Sequence, residues 1–173
     1  SDNQKESKKV SEAQKKIDAA LTELMSQAPS GGGGGGSYVP GSSAVGNAIA
    51  QKALSKLGAR YWWGANGPTY FDCSGLVFWA HKEAGVKIGR TTAAGYSRSG
   101  KAISKSQLQP GDVITFSYGS GVAHIGIYIG GGSFVHAAGN GSGTVGQYPN
   151  QCVKTASLSG YWENHAYNYR RLY

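Results

Sequence analysis

Apolar side chains recur at Val10, Ile17 and Leu24, with Ala13 and Ala20 between them. In a stretch of helix formers this heptad-like seam predicts a helix over residues 7–28. Ser11-Glu12-Ala13-Gln14 has the look of a capping box within it. Fewer than three heptads are marginal for a lone helix. The segment therefore reads as the end of a longer coiled coil or as a stub that packs on a neighbour. Pro29 and Ser30 stop it, and Gly31 to Gly36 form an unbroken glycine run. Such a run is flexible by composition and marks a domain boundary. The chain thus divides into a helical segment (1–30), a polyglycine linker (31–36) and a folded domain (37–173).

In that domain the pattern changes along the chain. Residues 44–57 carry Ile49, Ala50, Ala53, Leu54 and Leu57 on one helical face, closed by Gly58. Residues 74–84 predict a second, more apolar helix with Leu76, Val77, Phe78 and Ala80, stopped by Gly85. After Pro110-Gly111 the runs become strand-like, over residues 113–118, 122–129 and 133–137, and the aromatic-rich tail 161–173 offers a last strand. Helices first and an antiparallel sheet second is an α+β arrangement, with helices packed on the sheet.

Charge sharpens this division. The formal net charge of +8 belongs to the domain, because residues 1–30 balance five lysines with five carboxylates. A basic domain fits an anionic partner (nucleic acid, a membrane surface or an anionic cell envelope), and equally the plainer reading, a solvated and soluble surface. The basic residues are scattered from Lys52 to Arg171, and no nucleic-acid motif accompanies them. No apolar run approaches the ~20 residues of a membrane span. With two cysteines and no C-x-x-C pair, neither a disulfide scaffold nor a zinc ribbon is expected. No charged-then-apolar leader stands at Ser1, so the expectation is a secreted protein whose export signal is already removed.

Candidate chemistry begins at Cys73, in Phe71-Asp72-Cys73-Ser74-Gly75 at the head of the second helix. A sulfur there meets unpaired N–H groups and the positive end of the helix dipole, which favour thiolate. A buried, inert cysteine and a Cys73–Cys152 disulfide remain open from position alone. In Val122 to Ile129, alternation puts Ala123, Ile125, Ile127 and Ile129 on one face and His124, Gly126 and Tyr128 on the other. A three-residue turn at Gly130–Gly132 would set His136 opposite Gly126, on the His124 face; a two-residue turn would flip it. Cys, His and a third group oriented toward the His form the thiolate–imidazole system of cysteine hydrolases. The same three side chains can ligate zinc, though nothing at ligand spacing supports that.

Residues 53–138 resemble the NlpC/p60 family of bacterial cell-wall cysteine peptidases, which have a papain-like fold. The resemblance rests on Leu57-Gly58-Ala59-Arg60-Tyr61-Trp62-Trp63-Gly64, Phe71 to Val77, Leu108-Gln109-Pro110-Gly111-Asp112, His124 to Gly130 and Phe134-Val135-His136-Ala137. It implies a Cys73–His124–His136 triad with Tyr61 lining the site, and Asp72 and Ser74 binding substrate near its amino group. It also implies a peptidoglycan endopeptidase acting on stem peptides, typically at the D-γ-glutamyl to diamino acid bond. No cofactor or metal is expected, no nucleic-acid partner and no membrane span. The catalytic domain is expected to be monomeric and associated with the cell wall.

Two rival readings share these residues: an amidase or acyltransferase using the same triad, and a catalytically silent wall-binding module. Gly89-Arg90-Thr91-Thr92, Ala65 and the tail beyond Val145, with Cys152 and Trp162, depart from the family pattern. Trp62 and Trp63 stand between core and cleft, and His81 and His165 are expected at the surface. With no net charge and a glycine tether, residues 1–36 are expected to take no part in shaping the site.

Overall fold

The computed structural model describes the backbone of residues 2–29, 36–119 and 121–173, with side chains from residue 12 onward. The expected linker, apart from Gly36, lies outside the described residues. Helix α1 (Asp2–Gln27) runs straight through the Ser11–Gln14 stretch, so no cap interrupts it there. Helix α2 (Ala44–Leu54) starts where the Ser43 hydroxyl accepts from the Gly46 N–H. Helix α3 (Cys73–Glu83) is capped by Asp72, which leaves Cys73 as its first helical residue rather than its cap. A short α4 (Ala93–Tyr96) follows.

Six antiparallel strands form one sheet in the order β1-β6-β2-β3-β4-β5. They are β1 (Lys101–Ile103), β2 (Val113–Ser117), β3 (Val122–Gly130), β4 (Ser133–Ala137), β5 (Val153–Ser157) and β6 (Ala166–Arg171). The tail opens with a short helix, α5 (Tyr161–His165), before it becomes β6. That last strand inserts between β1 and β2 rather than adding at an edge.

Both faces of the sheet are covered. Ile125, Ile127 and Ile129 of β3, with Val113 and Val135, pack against Ile49, Ala50 and Ala53 of α2 and Leu76, Val77 and Ala80 of α3. The opposite face carries Ile114, Phe116 and Phe134, closed by Leu158, Trp162 and Leu24 of α1. Alternation therefore sorts the strand residues between two cores, and the His124 side is not the solvent side. His124 and His136 are buried. Phe116, Phe134 and Trp162 have ring centroids 5.0–5.6 Å from one another. His81, expected at the surface, is also buried, with its Nδ1 2.8 Å from the Val77 carbonyl. His165 is half-buried, with Nδ1 3.1 Å from the Ser117 carbonyl.

The Leu108–Asp112 segment is held by a two-pronged ion pair. Arg171 Nε donates to Asp112 Oδ1 and Nη2 to Oδ2, each at 2.8 Å. Asp112 is fully buried, so its charge depends on that fork, on the Gln109 N–H at 2.7 Å and on nothing from solvent. The pair ties the start of β2 to the end of the chain.

Burial of these charged and titratable groups has two measurable consequences. Asp112→Ala leaves the Arg171 fork without its carboxylate, and the expected cost is about 3 kcal/mol or more in chemical denaturation. Burial also holds His81 down to about 4 and His136 down to about 3. It pushes His124 well below the ordinary imidazole range, with the neighbouring His136 adding to the effect. Below the ordinary value near 6.5, the unfolded chain binds protons that the folded chain refuses. Stability is therefore full above that pH and falls on acidification, by up to about 1.4 kcal/mol per pH unit for each such imidazole. Melting temperature measured from pH 7 to pH 4 should drop steadily; a flat profile would contradict the burial of these rings.

Candidate active site

The head of α3 is built by Asp72. Its Oδ1 accepts from the Gly75 N–H at 2.6 Å and from Ser74 Oγ at 3.1 Å, and its Oδ2 accepts from the Gly64 N–H at 2.9 Å. Arg90 completes the set, donating to Asp72 Oδ1 at 3.0 Å and to Ser74 Oγ at 2.7 Å. Gly75 has to lack a side chain, because a Cβ there would lie 2.0 Å from the Ala65 carbonyl oxygen. This is how the Tyr61–Asn66 loop comes to rest against the first turn of α3. Arg90 is a residue that sequence reading placed only in a variant stretch; its contacts could not be seen without the fold.

Cys73 projects from that first turn toward β3. The backbone N–H groups of Ser74 and Ile125 face its sulfur and favour thiolate. Burial and the neighbouring Asp72 carboxylate outweigh them and push the thiol up to about 12. The stabilisation of thiolate expected at a helix terminus is therefore present but too weak to prevail, and the resting sulfur is a neutral thiol. Neither Cys73 nor Cys152 is in a disulfide.

The histidines meet as the strand register requires. Ile127 pairs with Val135 and Tyr128 with Phe134, so His136 falls opposite Gly126. The connection is a two-residue turn at Gly131-Gly132, and the register slips between Tyr128 and Gly130. That slip adds back the residue a plain two-residue turn would have removed. Gly130, Gly131 and Gly132 all have positive φ, at 86°, 61° and 78°. His124 Nε2 lies 2.7 Å from His136 Nδ1, while the buried His124 Nδ1 has no hydrogen-bond partner among the described residues. The two rings meet edge-on, and the Trp162 ring packs against both, at 5.8 Å from His124 and 5.2 Å from His136. Trp162 comes from α5 in the tail, where no motif pointed to it.

The structure thus brings His124 and His136 into direct contact and sets Cys73 against the residue that follows His124. It makes no hydrogen bond from the thiol to either imidazole, and such contacts often tighten only around a substrate. Tyr61, Asp72, Cys73 and Ser74 line one cavity. Tyr61 is buried and its hydroxyl is held protonated by burial first, then by Cys73 and Asp72. Trp63 joins the cavity wall, whereas Trp62 lies outside it against Tyr70, with ring centroids 5.0 Å apart. Among the described residues, no three His, Cys, Asp or Glu side chains are grouped to hold a metal ion, and no helix is long and apolar enough to cross a membrane.

Residues 58–171 match the NlpC/P60 family, a span that takes in the tail as well as the motifs. The probable endopeptidase p60 of Listeria grayi is 48% identical over 100 residues, covering 58% of this chain and 19% of that protein. The chain therefore spans about a fifth of the length of that curated relative. Among solved structures, NlpC1 from Trichomonas vaginalis superposes with a TM-score of 0.64 at 30% identity, over 78% of this chain and 46% of that one. The NlpC/p60 domain of the peptidoglycan hydrolase SagA gives 0.57 at 29% identity, over 73% of this chain and 97% of that domain. A match that runs unbroken from the Tyr61 loop through α3 and the paired histidines to the last strand shows that this chain belongs to the NlpC/P60 family, on a papain-like cysteine peptidase fold.

Proposed function

We propose that this chain is a cysteine endopeptidase that cleaves peptidoglycan stem peptides, at the D-γ-glutamyl to diamino acid bond, outside the cell. The observation that carries the reading is the His124–His136 contact, which commits His124 Nε2 and leaves Nδ1 without a partner among the described residues. For Nδ1 to accept a proton, Nε2 must carry the ring hydrogen and donate it to His136 Nδ1. His136 then fixes the tautomer and takes no proton from substrate.

In the reaction, His124 Nδ1 takes the Cys73 proton as the sulfur attacks the scissile carbonyl carbon. The Cys73 N–H and the positive end of α3 stabilise the oxyanion that develops, since the Gly75 and Leu76 N–H groups are already taken by Asp72. The C–N bond then breaks, and His124 returns its proton to the leaving amine. Water, deprotonated by His124, attacks the thioester; this releases the acid and restores the thiol. Asp72 caps α3 and, with Ser74, presents polar oxygens at the cleft. Arg90 already neutralises that carboxylate, so a substrate ammonium would have to share Asp72 with it.

Mass spectrometry of digested soluble muropeptides tests the bond. Products split between glutamate and the diamino acid support the endopeptidase; release at another amide would favour an amidase on the same triad. Cys73→Ala should abolish turnover with the fold intact. His124→Gln should be nearly inactive, since loss of an acid–base group costs ~10²–10⁴ in rate. His136→Gln or His136→Asn can still accept the Nε2–H and should keep measurable kcat/KM with a shifted pH profile. Equal loss in the His124 and His136 variants would mean that the roles are misassigned.

A further inference from the structure

Helix α1 does not stand apart from the domain. Its stripe toward the domain is Gln14, Ile17, Leu21, Leu24 and Ala28, with Asp18 beside it; it shares Ile17 and Leu24 with the seam read in the sequence, and Ile17 at its rim stays 39% exposed. Leu24 is fully buried with Phe116, Phe134 and Trp162. The Tyr161 hydroxyl donates to the Leu24 carbonyl, and Gln27 Nε2 donates to the Tyr118 hydroxyl at 3.0 Å. The C-terminal end of α1 is thereby anchored on the His124 face of the sheet.

One turn earlier, the helix reaches the cleft. Ile17, Asp18 and Leu21 line the same cavity as Cys73 and Tyr61. Leu21 is 3% exposed although it takes no place in either core cluster; what covers it is the cleft. Asp18 Oδ1 accepts from the Ser142 N–H at 3.2 Å, and Asp18 also accepts from the Ser142 hydroxyl. It sits over Gly141, where a Cβ would fall 2.2 Å from that carboxylate oxygen. The space left is about 90 Å³, well under the several hundred cubic ångströms that even a drug-sized ligand occupies.

We propose that α1 is an intramolecular plug of the substrate cleft: docked, it keeps the stem peptide from Cys73, and only its undocking opens the site. The inference rests on the reading of Cys73 as the nucleophile's position. The contacts argue against a mere wall of the binding site, because the helix fills the volume a peptide would need instead of bordering it. Its stripe also alternates three- and four-residue steps, the spacing of a coiled-coil seam. A helix paired with another through that face cannot be docked at the same time. The buried, neutral state of the thiol is the expected companion of a covered cleft.

The test uses the full chain. Cys73 alkylation by iodoacetamide is followed by peptide mass spectrometry, with Cys152 as the internal reference, alongside kcat/KM on a soluble muropeptide. Leu21→Lys and Asp18→Lys should each raise Cys73 alkylation and kcat/KM about tenfold or more, as the open fraction grows. Lys16→Glu, on the outward face, should change neither. Asp18→Lys removes no buried apolar contact, so it decides the matter if Leu21→Lys folds poorly. Unchanged alkylation in Asp18→Lys, or lowered turnover without faster alkylation, overturns the plug. Faster alkylation with no muropeptide cleaved by any form upholds the plug and sinks the endopeptidase instead.

Discussion

His124 Nε2 and His136 Nδ1 lie 2.7 Å apart because β3 and β4 pair with Ile127 opposite Val135, and the rest of the site depends on that register. Side chains alternate along a strand, so a slip of one residue would send His136 to the α2–α3 core and bring a valine or alanine to the His124 face. Three consecutive glycines hold the register: two make the turn, and the third lies at the slip between Tyr128 and Gly130. Once the imidazoles are paired, His124 has one nitrogen committed and one free, which is the asymmetry an acid–base group requires.

The pair is kept dry from an unexpected side. In a sheet with one solvated face, His124 would point to water and titrate near its ordinary value. Here Phe116, Phe134 and Trp162 close over both rings, and burial holds both imidazoles neutral. On the other side of the sheet, burial in the α2–α3 core and the Asp72 carboxylate raise the Cys73 thiol. In the proposed mechanism a neutral thiol and a neutral imidazole exchange a proton as substrate arrives, whereas a permanent buried ion pair would have to offset its own desolvation. The local devices at α3 serve that arrangement. Asp72 caps the helix, Arg90 balances Asp72, and Gly75 lets the Tyr61 loop close in.

Helix α1 links these local facts to the chain as a whole. Its anchor, Leu24, belongs to the aromatic cluster that encloses the histidines, and its middle turn lines the cavity that Cys73 also lines. Enclosure of the imidazoles and occupation of the cleft are therefore mechanically connected, since a helix drawn away from the cleft also pulls at the cover of the histidine pair.

Much of this was legible in the amino-acid order. Short-range rules placed α2, α3 and the β2–β4 strands to within a few residues. The alternation in β3 put His124 on the face where His136 joins it, although through a two-residue turn and a register slip rather than the three-residue turn expected, and the Cys73 motif marked the head of α3. These features are local: capping, periodicity and turn chemistry act over a handful of neighbours, and the sequence states them directly. Other features depend on partners far along the chain. That the His124 face is covered, that His81 is buried, that Trp162 packs on the histidine pair and that Arg90 holds Asp72 all needed the tertiary structure. The six-glycine run removes any sequence signal for where α1 rests. Its amphipathic stripe is satisfied equally by another helix or by a cleft, and only the shape and chemistry of the folded domain, with a serine N–H waiting for Asp18 and an aromatic cluster for Leu24, decided between them.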